Sequence, residues 1–159
     1  MKIDIIAVGK LKEKYLKTGM EEYLKRMQSY AKVKVLEVPD EKTLEGGSPR
    51  EVEIIQDKEG QGILKKIPES AQVIVLDIKG KMLTSQELAK AFHEFGLRGK
   101  SHWVFIIGGS LGLSKSVLDR ADLRLSFSKM TFPHQLMRLI LLEQIYRGFK
   151  ILKKEPYHK

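Results

Sequence analysis

The chain has 159 residues, 42% hydrophobic and 31% charged, with a formal net charge of +9 at pH 7. That length suits one domain, residues 1–159, burying about 70% of its unfolded surface. With no cysteine, disulfides, thiol catalysis and cysteine–zinc centres are excluded, and the longest apolar runs, Val73–Leu76, Trp103–Ile107 and Leu139–Leu142, fall far short of the ~20 residues of a membrane helix.

In chain order, Lys2–Val8 alternates apolar and polar residues as a strand does, rather than reading as a signal leader, so the expected address is the cytoplasm. Leu16, Met20, Tyr23, Leu24 and Met27 recur at helical spacing opposite Lys14, Lys17, Glu21 and Lys25. Val33–Val38 is the next strand, and Pro39–Gly47, with its charges, Pro and two Gly, reads as an exposed loop. Ser48-Pro49-Arg50-Glu51 combines a capping Ser, a Pro at the first helical position and a Glu three residues after the cap, so a helix runs to about Ile67, where Pro68 stops it. Val73–Leu76 is a buried strand, Thr84–Glu87 is a second capping box, and Leu88, Ala91, Phe92 and Phe95 continue that helix. Trp103–Ile107 is another buried strand, Ser114 caps a short helix, Leu123–Phe127 is the last strand, and Pro133 opens a long helix to about Leu152. Repeated β-α alternation with near-continuous apolar strands means a parallel sheet flanked by helices. There is no internal repeat.

The chemistry concentrates late in the chain. Phe105-Ile-Ile-Gly-Gly-Ser-Leu-Gly-Leu-Ser114 is a strand that ends in three glycines and then a helix start. Such a turn lets a ligand approach bare peptide groups at the carboxyl ends of the strands. It matches neither the Walker phosphate loop nor the dinucleotide fingerprint, and a tight turn without ligand has the same glycines. A second loop, Ser126–Phe132, offers hydroxyls from Ser126, Ser128 and Thr131 and apolar walls from Phe127, Met130 and Phe132. Those hydroxyls either face a ligand or cap the next helix. Asp77 is either a polar strand end or an acid facing the same pocket. His93, His102, His134 and His158 lack metal-ligand spacing, so no metal is expected.

The last helix, from Leu136 to Leu152, is apolar nearly all round, which calls for cover nearly all round and makes a self-association surface the economical expectation. Arg138 and Arg147 interrupt it and either pair with Glu143 or stay free for phosphate. Lys10, Lys12, Lys14 and Lys17 form a basic cluster that is either a solvated face or an RNA-facing patch. The tail Pro156-Tyr-His-Lys159 either frays or folds onto a site; lying beyond the helix, it is expected to matter for chemistry more than for folding.

Taken together, Ala7-Val-Gly-Lys10, Phe105–Gly112, Leu125–Gln135, Glu143–Phe149 and Pro156–Lys159 resemble the RlmH family, SPOUT-class methyltransferases that act on a pseudouridine of 23S ribosomal RNA. The likeness spans essentially the whole chain. It implies a SPOUT fold with a C-terminal trefoil knot, which general chain-topology rules would not suggest. It implies a homodimer, S-adenosyl-L-methionine as cofactor, methylation of ring nitrogen 3, and 23S rRNA within the large subunit or assembled ribosome as partner, with no membrane. By similarity the cofactor pocket maps to Leu76, Gly108, Phe127, Ser128, Lys129, Met130, Thr131 and Phe132, and the catalytic group to Arg147, Tyr157 and His158. His158 alone there has an unperturbed pKa suited to taking a proton, though solvent serves equally. Two other classes compete: a non-catalytic RNA- or ribosome-binding module, and a nucleotide-binding oxidoreductase, which lacks its fingerprint.

Overall fold

A computed structural model describes residues 1–41 and 47–159. Along the chain the elements are β1 (Lys2–Val8), α1 (Lys14–Met27), β2 (Lys32–Val38), α2 (Pro49–Leu64), β3 (Gln72–Met82), α3 (Ser85–Leu97), β4 (His102–Ile107), α4 (Lys115–Arg120), β5 (Leu123–Ser126) and α5 (His134–Leu152). The five strands form one parallel sheet in the order β2-β1-β4-β3-β5. Of the expected loop Pro39–Gly47, residues 42–46 lie outside the described part.

The two faces of the sheet explain its continuous apolar strands. Successive side chains point to opposite sides. Ile3, Ile5, Ala7, Ile74, Trp103, Phe105 and Ile107 pack with residues of α1, α3 and α5. Ile6, Val8, Val73, Val75, Val104 and Ile106 pack with Ile63 of α2 and Val117 of α4. Both faces are therefore covered, and no polar position is needed in mid-strand.

The helix starts follow their sequence signals. Ser48 accepts from Glu51 N–H at 3.2 Å, and Ser114 accepts from Val117 N–H at 3.3 Å. Thr84 and Glu87 exchange both bonds of a capping box, at 3.1 and 2.7 Å.

Several boundaries differ from expectation: β2, β3 and β4 each begin one residue earlier, and β5 ends at Ser126 rather than Phe127. The second helix stops at Leu64, before Ile67, and ends in single turns that close Lys66 on Ile63 and Ile67 on Leu64. The last helix begins at His134, one residue after Pro133. The third strand does not end at Leu76 but continues to Met82. Leu125 of β5 faces Leu76 and then Lys81, so residues 77–80 form a bulge between two pairings. Gly80 is needed there, because a Cβ would lie 2.7 Å from the Arg124 backbone.

Much of the cover for α5 comes from its own chain, and the expected self-association surface is left to the residues that stay half-buried. Leu141, Leu142, Ile145, Tyr146 and Phe149 are buried in the core that α1 and α3 complete. Gly148 lets α3 approach closely; a Cβ there would meet the Phe92 ring at 2.7 Å. Leu136, Ile140 and Ile151 stay half-buried.

Candidate functional site

The carboxyl ends of β3, β4 and β5 carry a cleft of about 720 Å³, within the size range of small-molecule and cofactor sites. The glycine turn forms one wall. Gly112 N–H closes on Gly109 O at 3.1 Å, and Gly112 takes φ +81°, a conformation that favours glycine. Gly108 is constrained by space and not by its backbone angle: its φ is not positive, but a Cβ would sit 3.0 Å from Leu113 and 3.3 Å from the Gly112 backbone. Gln56 of α2 donates its amide N–H to Leu111 O and braces the turn.

The opposite wall is the loop after β5. Ser126 donates its hydroxyl to Ser128 O at 3.0 Å, and the Ser128 hydroxyl accepts from Met130 N–H at 3.0 Å. These hydroxyls shape the loop itself and do not cap α5, whose start has no side-chain cap. Leu76, Gly108, Phe127, Ser128, Met130, Thr131 and Phe132 all line the cleft; Lys129 is exposed and does not. Asp77 lines it too, and accepts from Lys79 N–H at 3.1 Å to fix the bulge of β3. Gln56, Lys79, Arg124, His134 and Met137 join the lining without having been singled out for it by sequence. A signal existed for Arg124 and His134, which flank the loop on either side.

The residues present fit a nucleoside-type ligand with an apolar body. The cleft combines exposed main chain at the glycine turn with walls from Leu76, Ile107, Leu125 and Phe127. Among the described residues, no group of three or more His, Asp or Glu is placed to hold a metal ion.

A second cluster gathers the tail. Glu143 Oε1 accepts from Arg147 Nε at 3.0 Å, from a second Arg147 nitrogen at 2.5 Å and from the Tyr157 hydroxyl at 2.9 Å. Tyr23 lies 3.2 Å from the Tyr157 hydroxyl, and the Arg147 guanidinium sits 4.8 Å from the Tyr157 ring centroid. Arg147 also donates to His158 Nδ1 at 3.0 Å. Burial and the bonds to Tyr23 and Glu143 push the Tyr157 phenol above its ordinary range, so at neutral pH it is a donor and not a base. The tail is therefore docked, not frayed. Arg147, Tyr157 and His158 line neither the cleft nor the adjoining hollow of about 270 Å³ between Leu83, Ser85, Phe127, Ile140 and Gln144. The structure thus brings all the residues expected around the cofactor except Lys129 together at the cleft and the tail residues together elsewhere, in two separate places of the chain.

Arg138 belongs to neither group and pairs with neither Glu143 nor solvent. It is 1% exposed and donates to Glu37 at 2.7 Å and to Gly9 O at 2.9 Å. Burial alone would raise the Glu37 carboxyl; bonds from Arg138 and Leu11 N–H outweigh it and hold the carboxyl below its usual range.

A parallel sheet covered by helices on both faces, with a glycine-turned cleft at the carboxyl ends of its strands, places the chain among the α/β proteins whose clefts suit nucleoside-type ligands. Residues 1–158 match the model of a family described as "Predicted SPOUT methyltransferase". The chain is 62% identical to ribosomal RNA large subunit methyltransferase H of Alkaliphilus oremlandii, 60% to the protein of that name from Carboxydothermus hydrogenoformans and 57% to that of Enterococcus faecalis, each over the full length of both chains. The chain belongs to the SPOUT methyltransferase family.

Proposed function

We propose that this protein is a large-subunit ribosomal RNA methyltransferase that moves a methyl group from S-adenosyl-L-methionine to ring nitrogen 3 of a pseudouridine in 23S rRNA, on the large subunit or the assembled ribosome. The observation that carries the reading is the full-length likeness to proteins of that name, at 57–62% identity. The cleft supports it with its size and its bare glycine backbone.

When bound, the cofactor supplies a methyl group already activated on a sulfonium, so no protein nucleophile is needed. The chain's work is to position the target nitrogen in line and to let its proton leave. Leu76, Phe127 and the turn Gly108–Gly112 hold the ligand body. Arg147, permanently cationic and oriented by Glu143, faces the target base or its phosphate. Tyr157 offers a donor or a stacking face. His158 or solvent takes the proton.

Because the tail cluster lies outside its own subunit's cleft, the reading includes a homodimer in which one copy's tail serves the other's cleft. The half-buried Ile140, which lines a hollow with the exposed Phe132, supports such a contact. The C-terminal knot is carried on the family resemblance alone. No helix among the described residues is long and apolar enough to cross a membrane. A ribosomal RNA substrate supports a cytoplasmic address.

The test is labelled methyl transfer to ribosomes, large subunits and naked 23S rRNA from cells lacking this protein. Transfer to one ring nitrogen of one pseudouridine is expected. RNA binding with no transfer and no calorimetric heat of S-adenosylmethionine binding would replace this reading by the non-catalytic RNA-binding module.

A further inference from the structure

We propose that the segment Lys10–Lys17, the β1–α1 loop and the first turn of α1, is a preformed clamp for the phosphate backbone of the substrate RNA beside the cleft. The proposal rests on the methyltransferase reading and deepens it.

Lys10, Lys12, Lys14 and Lys17 are all exposed, and none forms an ion pair among the described residues. Glu13 is the one carboxylate in the segment. Tyr15, between two of these lysines, is 68% exposed, so its ring contributes little to the core. Free cations interleaved with an exposed aromatic suit a single-stranded or looped nucleic acid, where phosphates meet the cations and a base stacks on the ring.

The loop carrying these groups is tied down from inside. Buried Arg138 donates to Gly9 O at 2.9 Å and to Glu37 at 2.7 Å. The same Glu37 oxygen accepts from Leu11 N–H at 2.9 Å. Lys12 N–H donates to Gln135 Oε1 at 3.1 Å. Gly9 turns the chain with φ +92°. The buried guanidinium leaves its Nε without a partner and directs its terminal nitrogens to Glu37 and the Gly9 main chain, while every lysine of the loop stays free of ion pairs among the described residues. Fixing the loop in advance lowers the ordering cost of binding.

Position completes the argument. The loop leaves the carboxyl end of β1, whose neighbour β4 carries the glycine turn. Val8 is so close to that turn that a Cβ on Gly109 would lie 3.1 Å from it. Gln135, which holds Lys12, adjoins His134 of the cleft lining. A polyanion lying along Lys10–Lys17 therefore runs past the cleft mouth.

The experiment compares Lys10→Gln/Lys12→Gln/Lys14→Gln with a control, Lys2→Gln/Lys32→Gln/Lys66→Gln, which removes the same charge from the end of the sheet where the strands begin. The probes are large ribosomal subunits and 23S rRNA from cells lacking the protein. In the loop variant, the slope of log affinity against log salt should fall by about two, three contacts at roughly 0.7 each. KM for RNA should rise while kcat, S-adenosylmethionine affinity and Tm stay at wild-type values. The control should keep the wild-type slope. Tyr15→Ala should weaken RNA binding roughly tenfold, with Tyr15→Phe restoring it. Equal loss in loop variant and control, or no loss in either while wild type methylates normally, overturns the clamp alone. Wild type that neither binds nor methylates RNA overturns the methyltransferase reading and the clamp with it.

Discussion

Arg147 donates to Nδ1 of His158 at 3.0 Å. The other ring nitrogen, Nε2, lies 2.9 Å from the Gln86 side-chain nitrogen. His158 is thus positioned by an arginine that Glu143 orients in turn. Arg147→Ala should release both partners while leaving the cleft lining intact. Single-turnover methyl transfer should fall by about 100-fold, the lower end for losing a positioned catalytic group, with cofactor affinity unchanged in calorimetry. A parallel loss of cofactor affinity would show that cleft and tail are not separable.

The docked tail changes what its removal should do. Tyr157 meets Tyr146 edge to face at 4.9 Å, and its hydroxyl completes the bonds to Glu143. Deleting Tyr157–Lys159 uncovers that ring and leaves Glu143 one donor short. The expected cost is about 1–3 kcal/mol, a fall of several degrees in Tm, besides the loss of transfer. Tyr157→Phe keeps the ring contact and should cost about 1 kcal/mol. A truncated protein melting at the wild-type temperature would return the tail to the free terminus expected from its position in the sequence.

The sheet was legible because both faces are covered: runs such as Val73–Leu76 and Trp103–Ile107 read as buried strands without knowledge of their neighbours. The caps at Ser48, Thr84 and Ser114 were legible because their bonds are local. What escaped depends on distant pairing. Residues 77–82 look like a polar loop, and only the edge partner β5 makes them strand. Arg138 finds Glu37 across 101 positions of sequence, which no spacing rule reports. Helical periodicity shows that α5 is apolar nearly all round but cannot say which part of it α1 and α3 cover. Gly108 and the Ser126–Phe132 loop were found because a glycine turn and a hydroxyl-rich loop stand out locally, whereas Gln56 acts only through a turn 55 residues later.

Two α5 substitutions separate association from folding. Ile145 is fully buried in its own subunit, so Ile145→Asp places an unpaired charge in the core and should unfold the protein. Ile140 is half-buried on the hollow beside Phe127 and Phe132. Ile140→Asp should leave the subunit folded and shift sedimentation from dimer to monomer at micromolar concentration, with methyl transfer lost because each cleft then lacks a second tail. A wild-type protein that sediments as a monomer would remove both the dimer and the shared site.

Glu59 of α2 gives the fold a pH dependence of unusual sign. Its side chain is 5% exposed, accepts from Glu41 N–H at 3.0 Å, and neighbours Asp40 and the glycine turn at Gly109. Burial first, and then the proximity of Asp40, push its carboxyl up to about 7, against the bond from Glu41 N–H. Because the folded protein holds this proton more tightly than the unfolded chain, the group's contribution is fully present below the unfolded value near 4.5 and is lost as pH rises through 7. The full span amounts to on the order of 3 kcal/mol. Glu59→Gln keeps an oxygen for Glu41 N–H but cannot ionise. Relative to wild type, it should therefore be nearly neutral in denaturant melts at pH 4.5, progressively more stable up to pH 8, and constantly so above. A wild-type-minus-variant difference that stays flat between pH 4.5 and 8 would mean that Glu59 is ionised in the folded protein throughout, with Asp40 displaced to make room for its charge.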